Sequence, residues 1–207
     1  MSLLHRARFH TSAAKLEQLP PPGPAEVAFV GRSNSGKSSA INVLAGQRRL
    51  AFSSRTPGRT RLINLFGLPD PLEPESDIGY LVDLPGYGYA AVPQSARLDW
   101  ADVLGRYLRE RTSLAGLVLL LDIRRGLTEH DQRLVDWVAP AERPVLVLLT
   151  KADKLPYGQR VKAVAAIRRQ LAELGTLEVI PFSATQRIGL DEAANHIERW
   201  ILPQVAP

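Results

Sequence analysis

EVAFVGRSNSGKSS, residues 26–39, runs from a short apolar strand into a loop of glycines and hydroxyl side chains. It fits G-x-x-x-x-G-K-[ST] through Gly31, Gly36, Lys37 and Ser38. Such a loop must turn its backbone N–H groups toward a bulky anion, and glycine permits this without a Cβ clash. Arg32, Ser33, Asn34 and Ser35 complete the cradle. The helix expected to follow adds the partial positive charge of its N-terminus. Lys37 is placed to reach β- and γ-phosphates, and Ser38 to give its hydroxyl oxygen to Mg²⁺. The strand–loop–helix context separates the match from a chance Gly/Ser loop.

Outward from this loop, apolar runs recur at 62–66, 78–83, 117–122, 145–149 and 177–181. Three of them are nearly continuous aliphatic stretches, as expected for strands covered on both faces. Helical periodicity fills the gaps. Trp100, Val103, Leu104, Tyr107 and Leu108 form one stripe; Val161, Val164, Ile167, Leu171 and Leu174 a second; Leu190, Ala193, Ala194, Ile197 and Ile201 a third. LTEHDQRLVDWV, from residue 127, predicts a further helix with Thr128 as N-cap and Asp131 three residues on. The alternation predicts an α/β fold in three layers: a mostly parallel six-stranded sheet with one antiparallel strand and helices on both faces. PPPGP at 20–24 sets off an arm, residues 1–22, from a domain at 23–203, with 204–207 as a tail.

The 207 residues are 45% apolar, enough for a sizeable core. With no cysteine, disulfides, zinc–thiolate sites and cysteine nucleophiles are excluded. The four histidines are scattered without metal-ligand spacing. No apolar run approaches the ~20 residues of a membrane span, so no membrane partner is expected and a cytoplasmic location is. The basic, acid-poor N-terminus reads either as a weak transit peptide or as an arm before the first strand. The net charge of +5 is mild, but its placement is informative. Arg48, Arg49, Arg55, Arg59 and Arg61 occur with no acid among them, either to attract phosphate or to keep a loop soluble. DPLEPESD, 70–77, reads as a solvated turn. Trp100, Trp137 and Trp200 read as core side chains.

Three further motifs stand at strand ends. DLPG, Asp83–Leu84–Pro85–Gly86, offers a carboxylate for Mg²⁺ and a glycine N–H for a γ-phosphate, or merely a turn. TKAD, Thr150–Lys151–Ala152–Asp153, points to guanine, whose N1–H and exocyclic amine Asp153 can accept from, or by itself merely to a helix N-cap by Asp153. Adenine would face that carboxylate with a lone pair. Lys151 would lay its stem along the base. FSAT, from Phe182 through Ser183 and Ala184, could bring the Ala184 N–H to guanine O6.

In order, the P-loop, TPGRT, DLPG, TKAD and FSA resemble the TRAFAC-class GTPases. GRSNSGKSS, TPGRTRLINLF, DLPGYGYA and LLTKADKL are similar, within them, to the EngB (YihA/YsxC) family of Era/TrmE-like bacterial ribosome-biogenesis GTP-binding proteins. The resemblance spans nearly the whole chain. It implies GTP/GDP and Mg²⁺ as cofactors, slow GTP hydrolysis, and a switch role in large ribosomal subunit assembly and normal cell division and septation. The implied partner is the large subunit or its precursor, met through rRNA by the basic switch region, which Arg124, Arg125, Arg168 and Arg169 are expected to extend, with the protein a monomer. It implies Thr60 as the threonine completing Mg²⁺ coordination, with Thr56 as a rival, and places Gly58, Arg59, Arg61 and Leu62 at the nucleotide. Arg61 stands where relatives have glutamine.

For hydrolysis the implied catalytic set is Lys37, Thr60, Gly86 and Asn34. Ras-like enzymes place a water-orienting glutamine directly after D-x-x-G; here that residue is Tyr87. Asn34 either helps hold a potassium ion, as in potassium-activated GTPases, or stabilises the loop turn. An ATP-dependent P-loop kinase or ATPase, and a binding module with negligible turnover, are the competing readings. The first gives no reason for Asp153 beside Lys151.

Overall fold

A computed structural model describes residues 2–52, 62–87, 103–174 and 176–202. Seven strands form one sheet: β1 (Arg8–Ala13), β2 (Ala25–Gly31), β3 (Ile63–Pro69), β4 (Asp77–Asp83), β5 (Leu114–Asp122), β6 (Val145–Thr150) and β7 (Leu177–Pro181). Their order is β1-β3-β4-β2-β5-β6-β7. β3 pairs antiparallel with both of its neighbours, while β4, β2, β5, β6 and β7 run parallel. The single antiparallel strand is therefore β3, and the expected six strands become seven because the N-terminal arm supplies β1.

Side chains alternate across the sheet as the strand period requires. Ala28, Val30, Leu117, Leu119, Val147 and Leu149 face one core, with α2 (described over 103–110), α3 (Glu129–Val138) and α4 (Tyr157–Gln170). Val27, Phe29, Val118, Leu120, Leu146 and Leu148 face the other, with α1 (Lys37–Leu44) and α5 (Leu190–Ile201). The central strands are buried on both faces, which explains their unbroken aliphatic sequences. α3 starts at the expected capping box of Thr128 and Asp131.

Two expectations about packing change. Val161 is 51% exposed, because the buried face of α4 begins with half-buried Val164 and continues through Ile167 and Leu171. Trp137 is 40% exposed at the edge of α3, and Trp200 is half-buried with its ring against Gly116, where a Cβ would collide with it. Neither ring is a core residue in the sense of Phe29 or Tyr107. Trp100 lies outside the described residues.

The arm is fastened at several points. Arg8 and His10 approach Asp77 at 3.4 and 3.3 Å, so the last acid of the 70–77 turn docks β1 while the rest of that turn faces solvent. Ser2 Oγ donates to Glu198 Oε1 of α5 at 2.6 Å, and Arg106 of α2 pairs with Glu17 at 2.8 Å. Glu26, at the start of β2, is buried (1% exposed) and accepts from Arg111 Nη2 at 2.6 Å, the Tyr107 hydroxyl at 2.5 Å and Ser113 Oγ at 2.8 Å. Arg111 Nη1 also donates to Pro20 O at 2.7 Å. A buried carboxylate needs this many donors to offset its lost hydration.

β2 has β4 on one side and β5 on the other, so successive crossovers leave it in opposite directions. In parallel sheets this reversal opens a crevice at the carboxyl ends of the strands. The chain after Gly31 enters that crevice.

Candidate nucleotide-binding site

The loop of residues 31–36 sits at the reversal. Gly31 has no room for a side chain: a Cβ would meet Ser35 Oγ at 2.6 Å and Leu120 O at 2.9 Å. Gly36 caps α1 in the left-handed region at φ 96°, which glycine adopts without strain. Asn34 is also left-handed, at φ 66°, a conformation asparagine tolerates better than most residues. Lys37 opens α1 and its ammonium pairs with the Asp83 carboxylate at the end of β4. Ser38 follows in the first helical turn.

The loop is braced from behind. The Thr150 hydroxyl donates to Ser35 O at 2.6 Å and lies 3.1 Å from Leu121 O. Lys151 Nζ donates to Asn34 O at 2.9 Å. On the other side, Ser33 N–H donates to Tyr87 O at 2.9 Å and Tyr87 N–H to Gly31 O at 3.3 Å. Gly86 lies against this backbone, a Cβ there coming 3.4 Å from Gly31 O and 3.5 Å from Ser33 N. Leu84 N–H is held by Phe29 O at 3.1 Å, and Leu84 is buried. Pro85 lies between the two. Leu62 precedes β3 at this same edge, since Asn64 pairs with Asp83.

The residues of TKAD and FSA meet at the ends of β6 and β7. Phe182 N–H donates to Leu149 O at 2.8 Å, and Ala152 N–H to Phe182 O at 3.0 Å. Ser183 Oγ donates to Asp153 Oδ1 at 2.6 Å, while Lys154 Nζ pairs with Oδ2 at 3.1 Å. The Ser183 hydrogen bond, then that of Lys154, lowers the Asp153 carboxyl below its ordinary value. Ala184 follows directly, packed at the rim of the α1/α5 core.

Two participants escaped the sequence reading. Asp122 ends β5 as Asp83 ends β4, and that repeated pattern of aliphatic strand and terminal aspartate was the clue. Its Oδ2 accepts from Lys151 Nζ at 2.9 Å and Arg124 Nη2 at 2.7 Å. Burial alone would raise the Asp122 carboxyl, but the hydrogen bonds from Arg124 and Lys151 outweigh it and hold the group well below the usual carboxylate range. Asp131 is the other: it accepts from the Tyr87 hydroxyl at 2.6 Å. Burial first, and then Asp131, pushes the Tyr87 phenol far above its ordinary value, so it stays a hydrogen-bond donor. With its hydroxyl on Asp131, Tyr87 does not replace a water-orienting glutamine.

Gly58, Arg59, Thr60 and Arg61, with Arg55, Thr56 and Gln94, lie outside the described residues. The other arginines expected to form a basic surface with them stand at separate places in the fold. Arg48 and Arg49 are exposed beyond the end of α1. Arg124 is engaged with Asp122, and Arg125 beside it is exposed. Arg168, which pairs with Glu178 at 2.9 Å, and Arg169 stand at the far end of α4 from the site, because α4 runs back toward the start of β7.

The residues present fit a phosphate group. The Ser35 hydroxyl and Arg32 Nε are buried with no hydrogen-bond partner among the described residues, and the Gly31 cradle is one that a Cβ would fill. The Ser38 hydroxyl and Asp83 carboxylate are hard oxygen donors of the kind Mg²⁺ takes alongside phosphate oxygens. No group of three or more His, Asp or Glu side chains among the described residues could hold a metal by itself, so the phosphates would have to share the ion. A cavity of about 290 Å³ continues behind the loop between Asp122, Arg124, Thr128 and Lys151.

A glycine-rich loop at the sheet's reversal point, backed by a strand-end lysine and aspartate, defines the P-loop nucleotide-binding class. Residues 26–151 match the family described as "50S ribosome-binding GTPase". The "Probable GTP-binding protein EngB" of Bordetella pertussis is 68% identical over 207 residues, covering 100% of both chains. The protein of the same name from Thiobacillus denitrificans is 49% identical over 204 residues, 99% of this chain and 95% of the other. A crystal structure of a probable GTP-binding protein engB has a TM-score of 0.64 at 20% identity, covering 86% of this chain and 98% of that one. Era in complex with MgGDPNP and nucleotides 1506–1542 of 16S ribosomal RNA has a TM-score of 0.67 at 24% identity, covering 90% and 59%. The two crystal structures speak for the fold; the sequence relatives decide the family. The chain belongs to the EngB family of GTP-binding proteins.

Asp122 generates a pH prediction. Its carboxyl is lowered in the folded state, so its ionised form stabilises the fold above the ordinary carboxylate range. That contribution is lost as pH falls through this range toward the lowered folded value. Urea midpoints measured from neutral pH down to ~3 are expected to fall less steeply for Asp122→Asn than for the unaltered protein. Parallel acid limbs would contradict the role given to Asp122.

Proposed function

We propose that this chain is a guanine-nucleotide switch with slow GTP hydrolysis, acting in assembly of the large ribosomal subunit. The observation that carries the nucleotide reading is the convergence of Asp153 and Ser183 at adjacent strand ends, joined to the phosphate loop through Thr150 and Lys151. Ser183 and Lys154 occupy part of the Asp153 carboxylate and orient it. Its remaining lone-pair sites can accept from guanine N1–H and the exocyclic amine. Lys151 flanks the base, and the Ala184 N–H supplies a donor for O6.

At the other end of the nucleotide, N–H groups of the loop and of the first turn of α1 surround the β-phosphate, while the Ser33 N–H stays on Tyr87 O. Lys37 exchanges the Asp83 carboxylate for phosphate oxygens, and the Gly86 N–H meets the γ-phosphate. Ser38, Asp83 and Thr60 would hold Mg²⁺, which when bound neutralises charge between the β- and γ-phosphates. The reaction is GTP plus water to GDP plus phosphate. With Tyr87 turned onto Asp131 no side chain directly after D-x-x-G orients the water, which supports a low intrinsic rate. The reading of Asn34 as a helper for a potassium ion is a proposal of the same kind. Single-turnover hydrolysis is expected to be faster in potassium than in sodium chloride, and equal rates would remove the ion. No acceleration over buffer in either salt would favour the module with negligible turnover.

The large-subunit partner is supported by the matching family description; the 16S rRNA that Era holds supports only contact of this fold with ribosomal RNA. A role in cell division and septation, a cytoplasmic location, a monomeric state, and the division into arm (1–22), GTP-binding domain (23–203) and tail (204–207) belong to the same proposal. Among the described residues no helix is long and apolar enough to cross a membrane. In co-sedimentation with large ribosomal subunits, the form loaded with a non-hydrolysable GTP analogue is expected to bind more tightly than the GDP form. Binding should fall steeply between ~50 and ~200 mM salt, as phosphate contacts require. Equal sedimentation of both nucleotide forms would contradict the switch.

A further inference from the structure

Tyr87 is held in two directions at once. Its ring is buried (6% exposed), and its hydroxyl reaches Asp131, which is itself buried (2% exposed). The second oxygen of Asp131 accepts the Thr128 N–H at 2.8 Å and the Thr128 hydroxyl at 2.6 Å. The backbone of Tyr87 meanwhile bridges to the phosphate loop through Gly31 O and Ser33 N–H. One residue thus joins the start of α3, by its side chain, to the phosphate loop, by its main chain. Gly86 lies between this anchor and Leu84, which Phe29 holds. The only glycine N–H in DLPG therefore sits on a segment pinned at both ends.

We infer that Tyr87 is a positioning residue: its hydrogen bond to Asp131 presets the Gly86 N–H against the phosphate loop and so sets the ratio of GTP to GDP affinity. The inference rests on the reading of Gly86 as a γ-phosphate donor. A preset donor gives up little conformational freedom when the γ-phosphate arrives, whereas a loosened one must be ordered each time. GDP has no γ-phosphate and is indifferent to the state of Gly86. Removing the phenol hydroxyl also leaves a buried Asp131 oxygen without its donor, which favours displacement of the anchor.

The test uses the full chain with Mg²⁺ and measures dissociation constants for fluorescent GDP and a fluorescent non-hydrolysable GTP analogue. Tyr87→Phe is expected to weaken the GTP analogue by roughly 5- to 30-fold, the worth of one such hydrogen bond, while GDP stays within about twofold. Asp131→Asn disturbs the same anchor from the other side and serves as the second variant. Tyr87→Phe/Asp131→Asn together should lose no more than the larger single effect, because both act through one contact. Gly86→Pro, which deletes the main-chain N–H, reads the γ-phosphate contact itself. An unchanged ratio in Gly86→Pro would overturn the Gly86 reading and this inference with it. A collapsed ratio in Gly86→Pro beside an unchanged ratio in the Tyr87 and Asp131 variants would overturn this inference alone. Equal weakening of both nucleotides in those variants would reduce Tyr87 to a structural residue and likewise overturn it.

Discussion

A loop that turns its N–H groups toward an anion turns its carbonyls the other way, and those carbonyls must be satisfied from within the protein. Here the donors come from the end of β6, which carries TKAD. The Thr150 hydroxyl meets Ser35 O and the Lys151 ammonium meets Asn34 O. Two of the four residues of TKAD thus brace the glycine-rich loop. The loop after β2 and the end of β6, either side of β5, form one mechanical unit.

Charge placement follows from that unit. Lys151 stands between Asn34 O and the Asp122 carboxylate, and Arg124 holds the same carboxylate from the other side. A cation in this position would repel its neighbours without a counter-charge, and Asp122 supplies one. Lys37 and Asp83 form the equivalent pair at the phosphate end. The site therefore carries paired charges whose partners a bound nucleotide and its metal can take over. This explains how so many ionic groups are tolerated in one crevice: an unpartnered buried charge costs several kcal/mol, roughly.

The parts of this arrangement that depend on local sequence were legible in advance. Buried strands announced themselves as aliphatic runs, and each motif stood where such a run ended. The capping box of α3 was readable from Thr128 and Asp131 alone. What escaped depends on long-range partners. β1 has five of its six residues at least partly exposed, so it carries no hydrophobic alternation, and only its pairing with β3 makes it a strand. Glu26 and Arg111 are 85 positions apart and look like ordinary surface charges until the fold joins them. Asp131 caps α3 with Oδ2, as the sequence implies, but its Oδ1 serves Tyr87, a partner 44 positions away. Val161 follows the helical period yet is exposed, because the buried stripe of α4 starts only at Val164.

The proposed guanine specificity rests on Asp153 reading the amide edge of the base. Calorimetric titration with magnesium measures this directly, using GDP and ADP on the unaltered protein and xanthosine diphosphate on Asp153→Asn. Binding of GDP at least ~100-fold tighter than ADP is expected, as for a site whose buried polar group is left unpaired by the wrong ligand. Asp153→Asn should lose GDP and gain xanthosine diphosphate, whose 2-oxo group accepts from the new amide. Comparable affinities for GDP and ADP, or an Asp153→Asn protein that keeps its preference for guanine, would contradict it.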